Sequence, residues 1–262
     1  MHQSPDKREF KSFDGTRLTY YDHGEGLDED APPVIMLHGL MSGGRDLDSH
    51  ATRMKEHGLR GYALDLRAHG QSDGPKDPAA YRDQAMARDV LALGEHLGLK
   101  EYALFAYGLG CELTARVANL GGPVTRAVMC GWGGPPANQL DLYASDEWAA
   151  QALCLASGFE IDDPDAIQDE MAQQWRKHAD NKGLDRFALA AKLRSGDSRE
   201  PGLDPRTIPF PVLVICGADD SNPHEFAAAL PNAKGFVVEG NHLTAGRAAG
   251  LAEAAAIFLA AG

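Results

Sequence analysis

An apolar run from Tyr102 to Tyr107 stops at Gly108-Leu109-Gly110, and a helix-like run from Cys111 to Leu120 begins at once. A continuous apolar run of this length suits a strand buried on both faces, the kind found in parallel sheets covered by helices. No residues are left over for a loop, so strand and helix must meet through a very tight turn with a glycine at its tip. Few folds place a turn like that between a buried strand and a helix. The same strand texture returns at Val34–Leu37, Tyr62–Leu64, Arg126–Cys130, Val212–Cys216 and Phe236–Val238. Helical spacing occupies Asp48–His57, Tyr81–Leu97 and Thr244–Ala261, the first two closed by Gly58 and Gly98. Near the N-terminus, Asp14-Gly15 sits between two partly alternating segments, Phe10–Phe13 and Arg17–Asp22, a hairpin signal.

A chain of 262 residues can bury roughly 70–75% of its unfolded surface, enough for one large α/β core. The formal net charge of −13 disfavours nucleic acid and anionic membrane surfaces as partners. Cys111, Cys130, Cys154 and Cys216 show no C-x-x-C spacing, which reads as free thiols in a reducing compartment and not as disulfides or a metal site. No apolar run approaches the roughly 20 residues of a membrane span. Met1 to Asp6 carries no apolar leader core, so a cytoplasmic protein is the expectation. Neither a metal nor another cofactor is called for, and no pattern speaks to oligomeric state.

Several of these turns together resemble the α/β-hydrolase family. Ala106-Tyr107-Gly108-Leu109-Gly110 aligns with that family's nucleophile elbow, G-x-S-x-G, with Gly108 where the serine stands. His38-Gly39-Leu40, after the Val34–Leu37 strand, is similar to the family's H-G-x turn. The loop Asp65-Leu66-Arg67-Ala68-His69-Gly70-Gln71-Ser72-Asp73 matches its D-x-R-G-H-G-x-S-D pattern apart from Ala68. Asp65 and Arg67 are read as pairing to brace that loop, with His69 and Ser72 structural. The resemblance implies an α/β-hydrolase fold, a mostly parallel central sheet flanked by helices with a helical cap inserted after the sixth strand. Residues 1–133 and 207–262 would form the core and 134–206 the cap. Within that insertion Asp146–Ser157, Asp165–His178 and Leu184–Leu193 read as helices. Trp148, Trp175, Phe159, Tyr143 and Met171 either face a pocket or pack the cap, and the sequence does not choose between these.

The resemblance also implies the site. Asp220, after Gly217, takes the position of the catalytic acid, with Asp219 as the adjacent alternative, and His242 in Gly240-Asn241-His242 takes that of the base. The backbone N–H groups of Leu40 and Leu109 take the oxyanion-hole positions, while Tyr107, His38 and Trp132 are candidates to line the pocket. Gly108 offers no hydroxyl or thiol, so an acyl-enzyme cannot form there. Cys111 is too far round the helix to replace it. The expectation is therefore a hydrolase-like protein acting on a small carbonyl- or ester-type molecule through a His–Asp base and a backbone oxyanion hole, with direct hydrolysis, non-covalent lyase and cofactor-free oxygenase chemistry all compatible with the vacant Gly108 position. The alternatives are a ligand-binding or sensing relative without chemistry, and a serine hydrolase whose nucleophile has been removed.

Overall fold

The apolar runs pair side by side. The computed structural model describes residues 5–133, 145–197 and 204–261. Eight strands lie in one sheet: β1 (Asp6–Lys11), β2 (Arg17–Asp22), β3 (Pro33–Leu37), β4 (Arg60–Leu64), β5 (Tyr102–Tyr107), β6 (Val124–Cys130), β7 (Val212–Gly217) and β8 (Ala233–Val238). Their order is β1-β2-β4-β3-β5-β6-β7-β8. Only β2 runs against the rest, antiparallel to both β1 and β4, whereas every pair from β4 to β8 is parallel. Asp14-Gly15 turns the β1–β2 hairpin, and β1 forms the mostly exposed edge. β2 is buried from Leu18 to Asp22 because β4 covers its other side.

Side-chain alternation splits each central strand between two cores. Ile35, Leu37, Leu104, Ala106 and Val214 face one core, with α2 (Ala85–His96) and α3 (Leu109–Asn119) packed on it through Val90, Leu93, Leu113 and Val117. Val34, Met36, Phe105, Val128 and Ile215 face the other. There α1 (Asp48–Glu56) packs through Ala51 and Met54, and α8 (Ala249–Ala260) through Leu251 and Ala255. Each buried Val, Leu, Ile, Met or Phe side chain among them contributes about 1.5–3 kcal/mol, and both faces are needed because a parallel strand is apolar on both.

Between β6 and β7 the described chain forms three further α-helices: α4 (Asp146–Glu160), α5 (Glu170–Lys182) and α6 (Arg186–Arg194). Their starts are written into the sequence. The Ser145 hydroxyl accepts from Trp148 N, the Asp169 carboxylate from Ala172 N, and Asp185 from Phe187 N and Ala188 N, so first-turn N–H groups are satisfied by side chains. The three helices bury Ala152, Leu155, Phe159, Ala172, Ala179 and Leu189 among themselves. Met41, from the loop after β3, joins that cluster and ties the helices to the sheet. α7 (Pro223–Ala228) completes the elements, packed against β7 and β8.

The loop after β4 holds together differently from the sequence expectation. Asp65 and Arg67 do not pair with each other. Asp65 accepts from Gly44 N (2.7 Å), Gln71 N (2.8 Å) and the Tyr21 hydroxyl (3.1 Å). Arg67, fully buried, instead forms a two-pronged bond to Asp89 on α2 and reaches Asp14 in the hairpin turn. β4 ends at Leu64, so the strand rule that would aim residues two apart to one face no longer holds at Asp65 and Arg67, and each finds a distant partner.

Candidate active site

The parallel strands end on one side of the sheet, and the loops leaving them gather there, where open α/β sheets place their ligands. β3 delivers His38-Gly39-Leu40, β5 delivers Gly108, β7 delivers Asp219-Asp220, and β8 delivers His242. Asp220 is the acid that meets the histidine: His242 Nδ1 lies 3.3 Å from Asp220 Oδ2. The other Asp220 oxygen accepts from the Ser221 N–H at 2.8 Å and the Ser221 hydroxyl at 3.2 Å, which fixes the carboxylate. The approach of the two loops depends on Gly217. A Cβ there would lie within van der Waals overlap of the Gly240 carbonyl, and the Asp219 N–H donates to that same carbonyl at 3.0 Å.

Gly108 sits at the turn with φ 50° and ψ −110°, in the left-handed region that disfavours side chains. A Cβ built on it would lie 3.6 Å from His242 Nε2 and 3.7 Å from Gly39 Cα, ordinary contact distances. The imidazole therefore turns Nδ1 to Asp220 and Nε2 to the tip of the elbow. Leu40 and Leu109 flank the same point, and among the described residues neither of their backbone N–H groups has a hydrogen-bond partner. Tyr107 packs its ring edge-to-face on His242 at 5.8 Å and donates its hydroxyl to the His242 carbonyl at 2.7 Å, holding the histidine loop down. Burial raises the Tyr107 phenol, so it stays protonated.

A cavity of about 1050 Å³ opens at this point, lined by Gly39, Leu40, Tyr107, Gly108, Leu109 and His242 from the sheet side and by Trp148, Leu153, Trp175 and His178 from α4 and α5. Trp148 and Trp175 thus face the cavity, while Phe159 packs inside the helices and Met171 is half-exposed at the surface. Tyr143 lies outside the described residues. At the end of α5, Lys182 Nζ donates to both oxygens of Asp46, 2.8 and 2.7 Å away, and Asp46 also accepts from Ser42 Oγ at 2.6 Å. This clamps α5 to the loop carrying Leu40. Burial pushes the Asp46 carboxyl up, but the bonds from Lys182 and Ser42 outweigh it and hold the group below the usual range.

Two residues expected to line the pocket do not. His38 is fully buried beneath the loop. Its Nδ1–H donates to the Gly39 carbonyl at 2.7 Å and its Nε2 accepts from Leu66 N at 3.0 Å. Both nitrogens are used, so the ring braces the loops after β3 and β4. Trp132 is buried against Phe226. Cys111 is buried with its thiol on the Cys130 carbonyl at 3.3 Å, and burial raises it far above the thiolate range. His69 is buried edge-to-face on His38 at 5.1 Å, and Ser72 Oγ donates to the Asp65 carbonyl at 2.6 Å. The sequence reading also passed over Glu112, Lys192 and Asp197, which line the cavity. The available signal was the Glu112–Arg116 pair, one turn apart on α3, but such spacing is equally that of a solvated face.

The edge-to-face pair of buried histidines should make the protein acid-sensitive. Burial pushes His38 down to about 4 and His69, with His38 beside it, to about 3. Unfolded histidine titrates near 6.5, so below about pH 6.5 the unfolded chain binds protons that the native state refuses. Stability should therefore fall as pH drops from 6.5 towards 4, by about 1.4 kcal/mol per pH unit for each histidine. Urea midpoints measured across this range would show it, and His38→Gln should flatten the slope. An unchanged slope would remove His38 from the account.

Comparison with known proteins agrees with this architecture. A family model described as alpha/beta hydrolase fold matches residues 32–132, which run from β3 through the elbow to the end of β6. A non-heme chloroperoxidase of Streptomyces lividans is 28% identical over 229 residues, covering 79% of this chain and 80% of that protein. A haloalkane dehalogenase of Mycolicibacterium paratuberculosis is 31% identical over 102 residues, covering 39% of this chain and 33% of its own length. Among solved structures, a thermophilic esterase from Thermogutta terrifontis superposes with a TM-score of 0.73 at 19% identity, covering 97% of this chain and 98% of its own. An enol-lactonase from Burkholderia xenovorans superposes at 0.69 with 20% identity, covering 96% of this chain and 99% of its own.

Proposed function

Because this chain belongs to the α/β-hydrolase fold family, we propose that it acts on a small carbonyl- or ester-type substrate through a His242–Asp220 base and the Leu40 and Leu109 N–H groups, without a covalent intermediate. The observation that carries this reading is the 3.6 Å between His242 Nε2 and the Cβ position of Gly108. The base faces a point on the elbow where this chain has no side chain. In the reading offered here, a substrate carbonyl lies over Gly108 with its oxygen on the two N–H groups. His242 Nε2 takes a proton from water as the water oxygen bonds to the carbonyl carbon. The carbonyl electron pair moves onto the oxygen held by the N–H donors. Collapse of that intermediate breaks the bond to the leaving alkoxide, which receives the proton back from the imidazolium. Asp220 keeps Nδ1 protonated and stabilises the positive ring.

The helices between β6 and β7, within residues 134–206, serve in this proposal as a cap that limits substrate size and water access, with 1–133 and 207–262 as the catalytic core. The relatives' chemistry, hydrolysis of esters and enol-lactones by the named esterase and lactonase, supports carbonyl substrates as the class to try. A second reading rests on the same glycine: without a hydroxyl or thiol at position 108, the pocket binds a carbonyl compound and does not turn it over. The deciding measurement is turnover of short activated esters and lactones by the chain and by His242→Ala. Loss of turnover by about 10²-fold or more in the variant is expected for a general base. Equal turnover in both proteins would exclude this role for His242, and saturable binding with no product from either would favour the second reading.

A further inference from the structure

Four charged side chains stand together at one wall of the cavity: Glu112 and Arg116 on α3, Lys192 on α6 and Asp197 just beyond it. Arg116 Nε donates to Glu112 Oε1 at 3.1 Å and Arg116 Nη2 to the Asp197 carbonyl at 2.8 Å. Lys192 Nζ donates to Asp197 Oδ1 at 3.2 Å. The side chains of Arg116, Glu112 and Lys192 are 3, 4 and 6% exposed, yet Glu112, Lys192 and Asp197 all line the cavity. Burial alone would raise Glu112 and lower Lys192. The neighbouring carboxylates reverse this for Lys192 and keep it charged, while Glu112 stays raised by its burial. A packed apolar wall would be as stable as a buried ionic one, or more so. Stability therefore does not account for the group.

Its chemistry does. The four side chains stand as two ion pairs, Arg116 with Glu112 and Lys192 with Asp197, so none of the four meets the cavity as an unmatched ion. Lys192 has three N–H donors, of which one engages Asp197. A carboxylate has about four lone-pair sites, and Glu112 uses Oε1 on Arg116. The wall thus offers both a donor and acceptors to a group that can use both, as a hydroxyl does. Glu112 lies in the first turn of α3, whose N-cap is Gly108, and both line the same cavity, so one small molecule can touch both.

We propose that Lys192, Glu112 and Asp197 form a subsite for a neutral hydroxyl on the same molecule whose carbonyl lies over Gly108. The proposal rests on the carbonyl reading of the elbow and narrows the substrate class to hydroxylated small carbonyl compounds. An anionic group is disfavoured because it would lie against the Asp197 carboxylate held by Lys192 and against Glu112.

Binding tests this without requiring turnover. N-(2-hydroxyethyl)acetamide and N-propylacetamide differ only by hydroxyl for methyl, and N-acetylglycine places a carboxylate at the same end. NMR titration of the unaltered protein should give a dissociation constant roughly tenfold lower for the hydroxyl ligand than for the propyl one, the worth of a hydrogen bond to charged groups. The Glu112→Gln/Lys192→Met double variant, which keeps the buried charges balanced, should bring that ratio to about one. Glu112→Gln alone serves as the second variant if the double variant does not fold. Equal affinities for the hydroxyl and propyl ligands, tighter binding of N-acetylglycine, or an unaltered ratio in the folded variants would each overturn the subsite. If the hydroxyl preference holds while no ester is turned over by any form of the protein, the catalytic reading fails and the subsite stands.

Discussion

Gly108→Ser is expected to turn this protein into an efficient esterase, with turnover of short activated esters rising at least about 10³-fold over the chain as it stands. The geometry for this is already present. A serine Cβ would sit 3.6 Å from His242 Nε2, so one rotamer of its hydroxyl comes within hydrogen-bond reach of the base. His242 is in turn held by Asp220 at 3.3 Å. Serine must adopt φ near 50° and ψ near −110° at this turn, a strained conformation for a residue with a Cβ. The variant should therefore lose about 1–3 kcal/mol of stability, a fall in Tm of roughly 2–12 °C for a chain of this size. Burst kinetics with an activated ester would detect the acyl-enzyme. A folded variant with no burst and no turnover would show that the pocket has left ester chemistry, whatever its backbone resembles.

Removing Arg67 should have the largest effect on folding. Its guanidinium is fully buried and donates to Asp89 at 2.9 and 2.7 Å, to Asp14 at 2.7 Å and to the Ala80 carbonyl at 2.6 Å. Asp89 also accepts from Ser12 Oγ. One side chain thereby joins the β1–β2 hairpin, the loop after β4 and helix α2. Arg67→Met leaves the Asp89 carboxylate buried without a counter-charge, which costs about 3–5 kcal/mol and should lower Tm by roughly 6–20 °C. Replacing the pair together, Arg67→Met with Asp89→Leu, should recover much of that loss, since the penalty lies in the unpaired charge. Chemical denaturation of the two single variants and the double variant closes the cycle. A cost below about 1 kcal/mol for Arg67→Met would mean that water reaches Asp89.

The Arg67 pairing also marks where reading along the chain stops working. Asp65 and Arg67 stand two residues apart and carry opposite charges, so a local reading joins them, yet Arg67 finds Asp89 and Asp14. His38 and Trp132 are pocket candidates by family resemblance, and packing takes both inside. The opposite happened to Glu112 and Lys192. Each sits in a helix where a charge is usually solvated, and the helices between β6 and β7 enclose both against α3. The direction of a side chain leaving a loop is not periodic, so no spacing rule predicts it.

By itself the sequence determined the strands, the order of the turns and which residues stand at the strand ends. Apolar runs of strand length, glycine at the elbow, and the capping Ser145, Asp169 and Asp185 are local signals, each acting on backbone within a few residues. They made the β5–α3 turn and the starts of α1 and α4 legible, whereas α5 and α8 begin at Glu170 and Ala249, later than the Asp165 and Thr244 read from spacing. Only the tertiary structure decided which side chains meet: Asp220 with His242, Tyr107 over the histidine loop, Trp148 and Trp175 in the cavity, and the buried quartet around Lys192. Those contacts join residues up to 135 positions apart. Their energy comes from burial and from satisfied polar groups, which depend on the whole packed chain.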